Sequence, residues 1–104
     1  MTLQLRGKRK NGQERQTGSL RLRLYVAGSG ARSIRAVQNV KRICEAEYSG
    51  RYDLAVIDIY KEPARAGQDQ IVAIPTLIKE APGLFRRIVG DLSETALVRR
   101  SLAF

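Results

Sequence analysis

The chain has 104 residues, which is enough for one domain with a modest core, and its single cysteine excludes an internal disulfide framework. Its formal net charge is +9, and hydrophobic residues make up 43% of it. No charged-then-apolar leader is present, and no apolar run approaches the ~20 residues that a membrane-spanning helix needs. We therefore expect a cytoplasmic protein with no membrane partner.

The first nineteen residues form a basic segment. They hold five Lys/Arg residues and one Glu, so they supply +4 of the net charge. Few large apolar residues and many Gly, Gln and basic residues predict a disordered extension over residues 1–19, with the folded domain at residues 20–104. A basic tail could neutralise phosphates, but this one has no aromatic side chain on which bases could stack. We expect a solvated terminus and no nucleic-acid partner.

The folded domain opens with a predicted β-α-β unit. Leu20 to Val26 alternates apolar and polar residues, which is the pattern of a strand with one buried face. Gly28-Ser29-Gly30 ends that strand, and either Ser29 or Ser33 is a candidate N-cap for the helix that follows. Tyr52 to Ile59 predicts a second strand that is apolar on both faces at its centre, as in a sheet covered on both sides. The apolar stripe of the helix consists of Ile34, Val37, Val40, Ile43 and Cys44.

The second half of the chain predicts a short helix, two strands and a closing helix. The short helix begins near Pro63 and has weak helical character, because Gly67 interrupts it. Asp91 or Ser93 caps the closing helix. The predicted order of the whole domain is β-α-β-α-β-β-α. The predicted bounds are Ala64–Val72 for the short helix, Thr76–Lys79 and Phe85–Val89 for the strands, and Glu94 to about Leu102 for the last helix.

Pro75 indicates the fold. It stands at the head of the third predicted strand, after a β-α-β unit, where thioredoxin-like folds carry a proline whose preceding peptide bond is often cis. We therefore expect an α/β, thioredoxin-like domain. Thioredoxins react through Cys-x-x-Cys, whereas Cys44 lies on the apolar stripe near the end of the first helix. Since the chain also has no histidine, we expect no enzyme, no catalytic residue, no cofactor and no metal site.

Two motifs that resemble ligand sites are interpreted as structural. Gly28-Ser29-Gly30 follows a strand and opens a helix, but the third glycine of a dinucleotide loop is Ser33 here and no Gly-Lys-Ser/Thr follows. Asp53 and Asp58 are five residues apart on one strand and point to opposite faces, so they cannot form a carboxylate pair. We expect a tight turn at the glycines and a structural role for Asp58 at the exposed end of its strand.

Arg86 and Arg87 lie side by side on the fourth predicted strand, so they should face opposite sides of the sheet. Arginines on an edge strand often prevent aggregation. Arginine also suits contacts with carboxylates, so the same pair could dock an acidic partner. Both interpretations remain open at this point.

Seven segments, in order and at matching spacing, resemble the KaiB family of circadian clock proteins, and the resemblance runs from about Leu20 to Leu102. It implies a non-enzymatic protein that binds the N-terminal ATPase ring of KaiC, with KaiA or a histidine kinase as further partners. The segments are Leu24–Gly28, Ser33–Ala36, Val56–Ile59, Pro63, Ile74–Leu77, Arg86–Val89 and Gly90–Ser93.

The resemblance also implies two alternative folds. Members of the family occupy an oligomeric ground state, a tetramer or dimer with an unusual fold, and a monomeric thioredoxin-like state that binds KaiC. Ala64 to Leu102 would rearrange between them, with Pro75, Gly90 and Asp91 as the residues that bias the fold. The partner interface implied by the resemblance consists of Arg35, Lys61, Arg86 and Arg87.

The chain departs from the family pattern at several places. Ser29-Gly30-Ala31 replaces the usual Asn-Thr-Pro after the first strand, a proline cluster is reduced to Pro82, and an acidic C-terminal tail is absent. These departures indicate a divergent member that serves a KaiC homologue in a clock, a timer or a stress response. The alternative function is a thioredoxin-like interaction module of another signalling or stress-response pathway without KaiA.

Overall fold

The computed structural model describes residues 2–6, 19–83 and 85–103, which form five strands and three helices. The predicted β-α-β-α-β-β-α order is confirmed, and one strand precedes it. The elements are β1 (Thr2–Arg6), β2 (Leu20–Val26), α1 (Ala31–Glu47), β3 (Tyr52–Asp58), α2 (Pro63–Gln68), β4 (Thr76–Ala81), β5 (Arg86–Val89) and α3 (Thr95–Leu102).

The strands form one mixed sheet in the order β1-β3-β2-β4-β5. β2 and β3 are parallel, as a β-α-β unit requires, and β1, β4 and β5 each run antiparallel to their inner neighbour. At the centre of the sheet, Leu24 of β2 lies opposite Val56 of β3 and Leu77 of β4. This arrangement puts the C-terminal ends of β2 and β3 at the same end of the sheet.

Helices cover both faces of the sheet, which confirms the prediction from the two-sided apolar centre of β3. Against α1 and α3 lies the larger core, in which Leu20, Leu24, Leu54 and Leu77 are completely buried. Tyr25, Ala55, Ile57 and Ile78 form a smaller cluster on the other face, below α2. The alternation of β2 predicted a strand with one buried face. Near its C-terminal end, however, both faces of β2 are buried, because Tyr25 lies in the second core.

The N-terminal strand corrects the prediction of disorder. Thr2–Arg6 form β1 and pair with β3, so that prediction is wrong for these five residues. The short stretch Thr2-Leu3-Gln4-Leu5-Arg6 alternates polar and apolar residues, and the outer edge of β3 offers unpaired backbone groups that stabilise it as a strand. Met1 and residues 7–18 lie outside the described residues.

Boundaries of all three helices differ from the predictions, and the N-cap of α3 is Glu94 rather than Asp91 or Ser93. Gly30 is the N-cap of α1, and neither predicted serine caps it; the Ser33 hydroxyl instead accepts a hydrogen bond from the Ala27 backbone N–H at 3.1 Å. α2 ends at Gln68 rather than Val72, because the chain turns at Asp69 and Gln70, and Gln70 has a φ of 55°. The predicted weakness of this helix agrees with its length of six residues.

Candidate functional site

Several loops meet at one end of the sheet, beyond the C-terminal ends of the parallel strands β2 and β3. This end consists of residues 27–30, 59–62, 73–75 and 90–94, and we call it the loop end. In open α/β sheets, ligands bind beyond the carboxyl ends of the parallel strands. The loop end is therefore the first place to look for a functional surface in this fold.

Three of the predicted site residues are joined at the loop end. The peptide bond between Ile74 and Pro75 is cis, as predicted, and the Pro75 carbonyl accepts a hydrogen bond from the Gly90 N–H at 2.9 Å. Gly90 has a φ of 124°, a conformation that favours glycine. A second cis bond, between Ala81 and Pro82, was not predicted. Asp91 follows directly, so Pro75, Gly90 and Asp91 form one connected corner.

Arg35 is tied to that corner from α1. Its Nε donates to an Asp91 carboxylate oxygen at 3.3 Å, and the Asn39 side chain donates to the Asp91 carbonyl at 2.9 Å. Hydrogen bonds from the Ser93 hydroxyl and backbone N–H, with a smaller contribution from Arg35, hold the pKa of Asp91 below its ordinary value. Asp91 is therefore charged at neutral pH and joins α1 to the chain that leads into α3.

Lys61 lies in the turn after β3, next to an aromatic side chain that sequence reasoning missed. The Tyr60 ring is 74% exposed, and Lys61 is exposed beside it. Asp58 holds this turn, since its carboxylate accepts hydrogen bonds from the backbone N–H groups of Gly28 at 3.2 Å and Tyr60 at 2.9 Å. These bonds lower the pKa of Asp58, which agrees with the predicted structural role.

Exposed apolar side chains lie beside the Gly90 corner as well. Val89, at the end of β5, is 59% exposed and Leu97, on α3, is 42% exposed. They line a groove of about 100 Å³ between the two elements. The sequence does not reveal that these two side chains are exposed, because other valines and leucines of this chain's strands and helices are buried in the core.

Arg86 and Arg87 are placed on opposite faces, and the structure does not bring both to the loop end. Arg87 lies on the α2 face, where its guanidinium donates to the carbonyls of Asp69 at 2.7 Å and Gln70 at 3.1 Å. Arg86 lies opposite Lys79, at the start of β5 and thus at the far end of that strand. Arg87 therefore ties β5 to the end of α2, whereas Arg86 is an exposed charge.

A polar cluster holds α2 on the sheet. The Asp69 carboxylate accepts hydrogen bonds from the Tyr25 hydroxyl and from Arg23 Nε, the latter at 3.1 Å. Arg23 also forms an ion pair with Glu80 at 3.0 Å. Burial, together with the bond to Asp69, raises the pKa of Tyr25 to about 12. Asp69 is the member of this cluster that belongs to the α2 segment, and sequence reasoning did not identify it.

Cys44 is completely buried on α1, as its place on the apolar stripe predicted, and burial raises the pKa of its thiol to about 12. We expect the native protein to react with Ellman's reagent at least ~100-fold more slowly than the protein in 8 M urea, since the thiolate is the reactive form. The release of thionitrobenzoate measures both rates. Comparable rates in the native and denatured states would show an accessible thiol and reopen thiol chemistry.

In the described part of the chain, no group of three or more His, Cys, Asp or Glu side chains is arranged to hold a metal ion. Among the same residues, none of the helices is both long enough and apolar enough to cross a bilayer. The exposed side chains at and beside the loop end include Arg35, Tyr60, Lys61, Val89 and Leu97.

Comparisons with known proteins agree on a family and on a fold. The family model described as the KaiB domain matches residues 23–104. The circadian clock oscillator protein KaiB of Synechococcus elongatus is 51% identical over 73 residues, which cover 70% of this chain and 72% of that protein. The protein of the same name from Prochlorococcus marinus strain MIT 9515 is 48% identical over 85 residues, which cover 80% of this chain and 79% of that protein.

Solved structures show the same fold. The N-terminal domain of Synechococcus elongatus SasA superposes with a TM-score of 0.67 and is 27% identical, covering 90% of this chain and 89% of that domain. Mitochondrial thioredoxin 3 of Saccharomyces cerevisiae superposes with a TM-score of 0.65 at 16% identity, over 81% of this chain and 77% of that protein, which shows a shared fold alone. The predicted thioredoxin-like α/β fold is confirmed.

Proposed function

The chain belongs to the KaiB family, and from that premise we propose that it is a non-enzymatic, cytoplasmic clock or timing protein. In this proposal it binds the ATPase ring of a KaiC-type partner and modulates the phosphorylation cycle of that partner. The observation that carries the proposal is the 51% identity to the Synechococcus elongatus clock protein KaiB over 70% of the chain. The ATPase ring is proposed as the partner because the seven sequence segments resemble the KaiB family, and that resemblance implies ring binding.

The loop end supports a binding role on physical grounds. Tyrosine and arginine are enriched among the residues that contribute most to protein interfaces, and Tyr60 is exposed beside Lys61, at the same end of the sheet as the exposed Val89. The net charge of +9 steers an acidic partner toward the protein. We therefore propose that Lys61 and Arg35 face acidic groups of the ring, while Tyr60 fills an apolar pocket. Arg86 extends this surface along β5, and Arg87 contributes by holding α2.

Fold switching is a further part of the proposal. None of the six residues of α2 is fully buried; Ala66 and Ile71 pack partly against the smaller core, and the polar contacts of Asp69 and Arg87 hold the rest of the segment. Segments with few buried apolar contacts open at low free energy. We propose that residues 64–102 rearrange into a tetrameric or dimeric ground state, while the thioredoxin-like monomer binds the ring. Two such packings coexist if they differ by only a few kcal/mol. Pro75, Gly90 and Asp91 connect the segments that move.

A second candidate function is a thioredoxin-like interaction module of another signalling or stress-response pathway. The likeness to the N-terminal domain of SasA, which extends over 90% of this chain, favours it. In that role the protein would act in trans on a histidine kinase, without KaiA. Genes for a KaiC homologue or for a sensor kinase beside the gene for this protein would separate the two candidates.

Slow complex formation tests the first candidate. We expect the protein, mixed with the KaiC homologue of the same genome and ATP, to co-elute with the ring in size-exclusion chromatography with light scattering after several hours. A thioredoxin is the matched control, because it shares the fold at only 16% sequence identity. Absence of a complex after a day of incubation would contradict ring binding, and a complex with a sensor kinase alone would support the second candidate.

A further inference from the structure

The strand β5 forms the edge of the sheet opposite β1. In the order β1-β3-β2-β4-β5 it pairs with β4 on one side, and none of the described strands lies on its other side. Most of its residues are at the surface, since Arg86, Arg87 and Val89 are exposed and Ile88 is half-buried. A strand edge of this kind presents unpaired backbone groups to which a further strand can add.

The hydrogen bond from the Gly90 N–H to the Pro75 carbonyl shows which backbone groups of β5 point outward. It adds one hydrogen-bonded pair to the antiparallel register of β4 and β5. Because hydrogen-bonded and non-hydrogen-bonded positions alternate along such a register, every second residue of β5 bonds inward. Counted back from Gly90, the N–H and C=O groups of Val89 and Arg87 therefore point away from β4. Each of these two residues offers one donor and one acceptor to an added strand.

Arg86 is an unpaired cation on this edge. It lies opposite Lys79 of β4, whose buried ammonium donates to the Ala103 carbonyl at 3.1 Å. Burial and the positive charge of Arg86 lower the pKa of Lys79. Like charges directly opposite each other are destabilising, and Arg86 forms no ion pair with any carboxylate of the described residues. A carboxylate placed beside Arg86 would offset this repulsion.

The other face of the edge combines an aromatic ring, a cation and an aliphatic side chain. Phe85, Arg87 and Val89 alternate along the chain and so share the face that α2 covers in part. Phe85 is 56% exposed and Val89 is 59% exposed, and the Arg87 guanidinium lies 6.0 Å from the centroid of the Phe85 ring. This face therefore suits apolar side chains at its two ends and a carboxylate at its centre.

We propose that the outer edge of β5 is a strand-addition site for an extended segment of a partner protein. The segment carries acidic residues opposite the two arginines and apolar residues opposite Phe85 and Val89. In complexes of this kind, main-chain hydrogen bonds supply affinity and alternate side chains supply specificity. The inference does not rest on ring binding, since Lys61 of the loop end follows β3 and two strands separate β3 from β5.

Charge decides between an acidic partner and a second copy of this chain. A second copy would bring two more arginines to the edge, and each chain carries a net charge of +9. Arginine's planar fork suits carboxylates, so an acidic strand gains what a second copy loses. The two interpretations of Arg86 and Arg87 are therefore compatible, because the same side chains oppose self-association and attract an acidic segment.

The peptide acetyl-Thr-Val-Val-Glu-Glu-Val-Thr-amide is the probe for this site. Antiparallel to β5, it places its glutamates opposite Arg87 and Arg86. We expect Val89→Pro to weaken peptide binding at least about fivefold relative to Val89→Ala, because proline removes an outward N–H that β4 does not use. Val89→Ala is the matched control, since it shortens the same side chain and keeps the donor. Proline is tolerated on an edge strand where its N–H would face solvent.

Arg86→Glu tests the charge of the site. We expect it to weaken peptide binding at least about tenfold, whereas Lys41→Glu, with the same change in net charge at an exposed position on α1, should weaken binding less than about threefold. Lys61→Glu should behave as Lys41→Glu does, which separates this edge from the loop end. The same peptide with both glutamates replaced by glutamines should bind the wild type more weakly than the acidic peptide does.

Titration of ¹⁵N-labelled protein with the peptide measures the affinity and the location together. The expected shifts centre on the amides of Arg87 and Val89, and the dispersion of the other amide signals reports whether each variant is folded. If Val89→Pro does not fold, the comparison of Arg86→Glu with Lys41→Glu decides. Equal affinities within either matched pair of folded variants, shifts away from β5, no binding up to about 5 mM peptide, or dimerisation through β5 in place of peptide binding would overturn the proposal.

Discussion

Replacing Asp69 by alanine should lower the free energy of unfolding by about 1–3 kcal/mol, because the Tyr25 hydroxyl and Arg23 Nε lose their shared charged acceptor and keep only the Arg65 carbonyl and Glu80. Tyr25 is completely buried and the Arg23 side chain is only 19% exposed, and both donate to the Asp69 carboxylate. The loss should concentrate in the α2 segment, which has no buried residue of its own. Urea denaturation gives the free energy, and amide hydrogen exchange shows where the protein opens.

A double-mutant cycle with Tyr25→Phe isolates the contact between the two side chains. We expect a coupling energy of about 1–3 kcal/mol, since the two groups touch directly. The matched control is Glu62→Ala, which removes a carboxylate of the same segment from a half-exposed ion pair with Arg65 and should cost about 0–1 kcal/mol. Equal effects of the Asp69 and Glu62 substitutions would contradict the proposed role of Asp69 in holding α2.

The same cluster predicts a loss of stability in base. The pKa of Tyr25 is raised from 10.0 to about 12 in the folded protein, so the unfolded chain releases this proton first. The stabilising contribution of the neutral hydroxyl is therefore complete below pH 10 and is lost as the pH rises through 12. We expect the Tyr25→Phe variant to lose less stability than the wild type over this range, and an identical pH dependence would argue against the shift.

Reversing the charge of Lys61 should weaken binding to a KaiC-type ring at least tenfold, which corresponds to about 1.4 kcal/mol or more. The proposed surface places this ammonium beside the exposed Tyr60, where an acidic partner group would meet it. Lys61→Glu changes the attraction into repulsion, so both the affinity and its decrease with salt should change. Fluorescence anisotropy of the labelled protein against the ring, at two salt concentrations, measures both quantities.

Lys41→Glu is the matched control for that experiment. It makes the same change in net charge at an exposed position on α1, ten residues after the helix begins and so about 15 Å along its axis from the loop end. Arg86→Glu is a third variant, and we expect it to have a smaller effect than Lys61→Glu because Arg86 lies at the far end of β5. If the Lys41 and Lys61 variants weaken binding equally, net charge alone governs association and the loop end is not the interface.

Local sequence patterns correctly predicted those parts of the fold whose structure is determined by residues close together in the chain. The alternation of Leu20–Val26 was sufficient to predict the strand β2, and the position of Pro75 before β4 was sufficient to predict the cis bond, both of which the structure confirms. β1 was missed because composition was averaged over nineteen residues, in which basic and glycine residues outweigh five alternating ones. A strand of that length gains its stability from the edge it joins, and the identity of that edge is a tertiary property.

In the candidate site as well, the sequence identified residues, whereas the contacts between them depend on tertiary structure. The sequence placed Arg35, Pro75, Gly90 and Asp91 in segments of the KaiB family, but their hydrogen-bonded connection across α1, β4 and β5 depends on the packing of the sheet. The positions of Arg86 and Arg87 on opposite faces followed from strand geometry, whereas the contacts of Arg87 with Asp69 and Gln70 depend on where α2 ends. Contacts between segments distant in the chain carry no local signal.

By itself, the sequence determined the family, the helix and strand order and the burial of Cys44, because periodicity and motif spacing are properties of neighbouring residues. Tertiary structure alone decided that Tyr60 is exposed at the loop end, that Asp69 holds α2 through Tyr25 and Arg23, and that Thr2–Arg6 fill the outer edge of β3. Each of these depends on which surfaces meet when the chain folds. The free energy of such a contact comes from desolvation and hydrogen bonding between residues 40 or more positions apart.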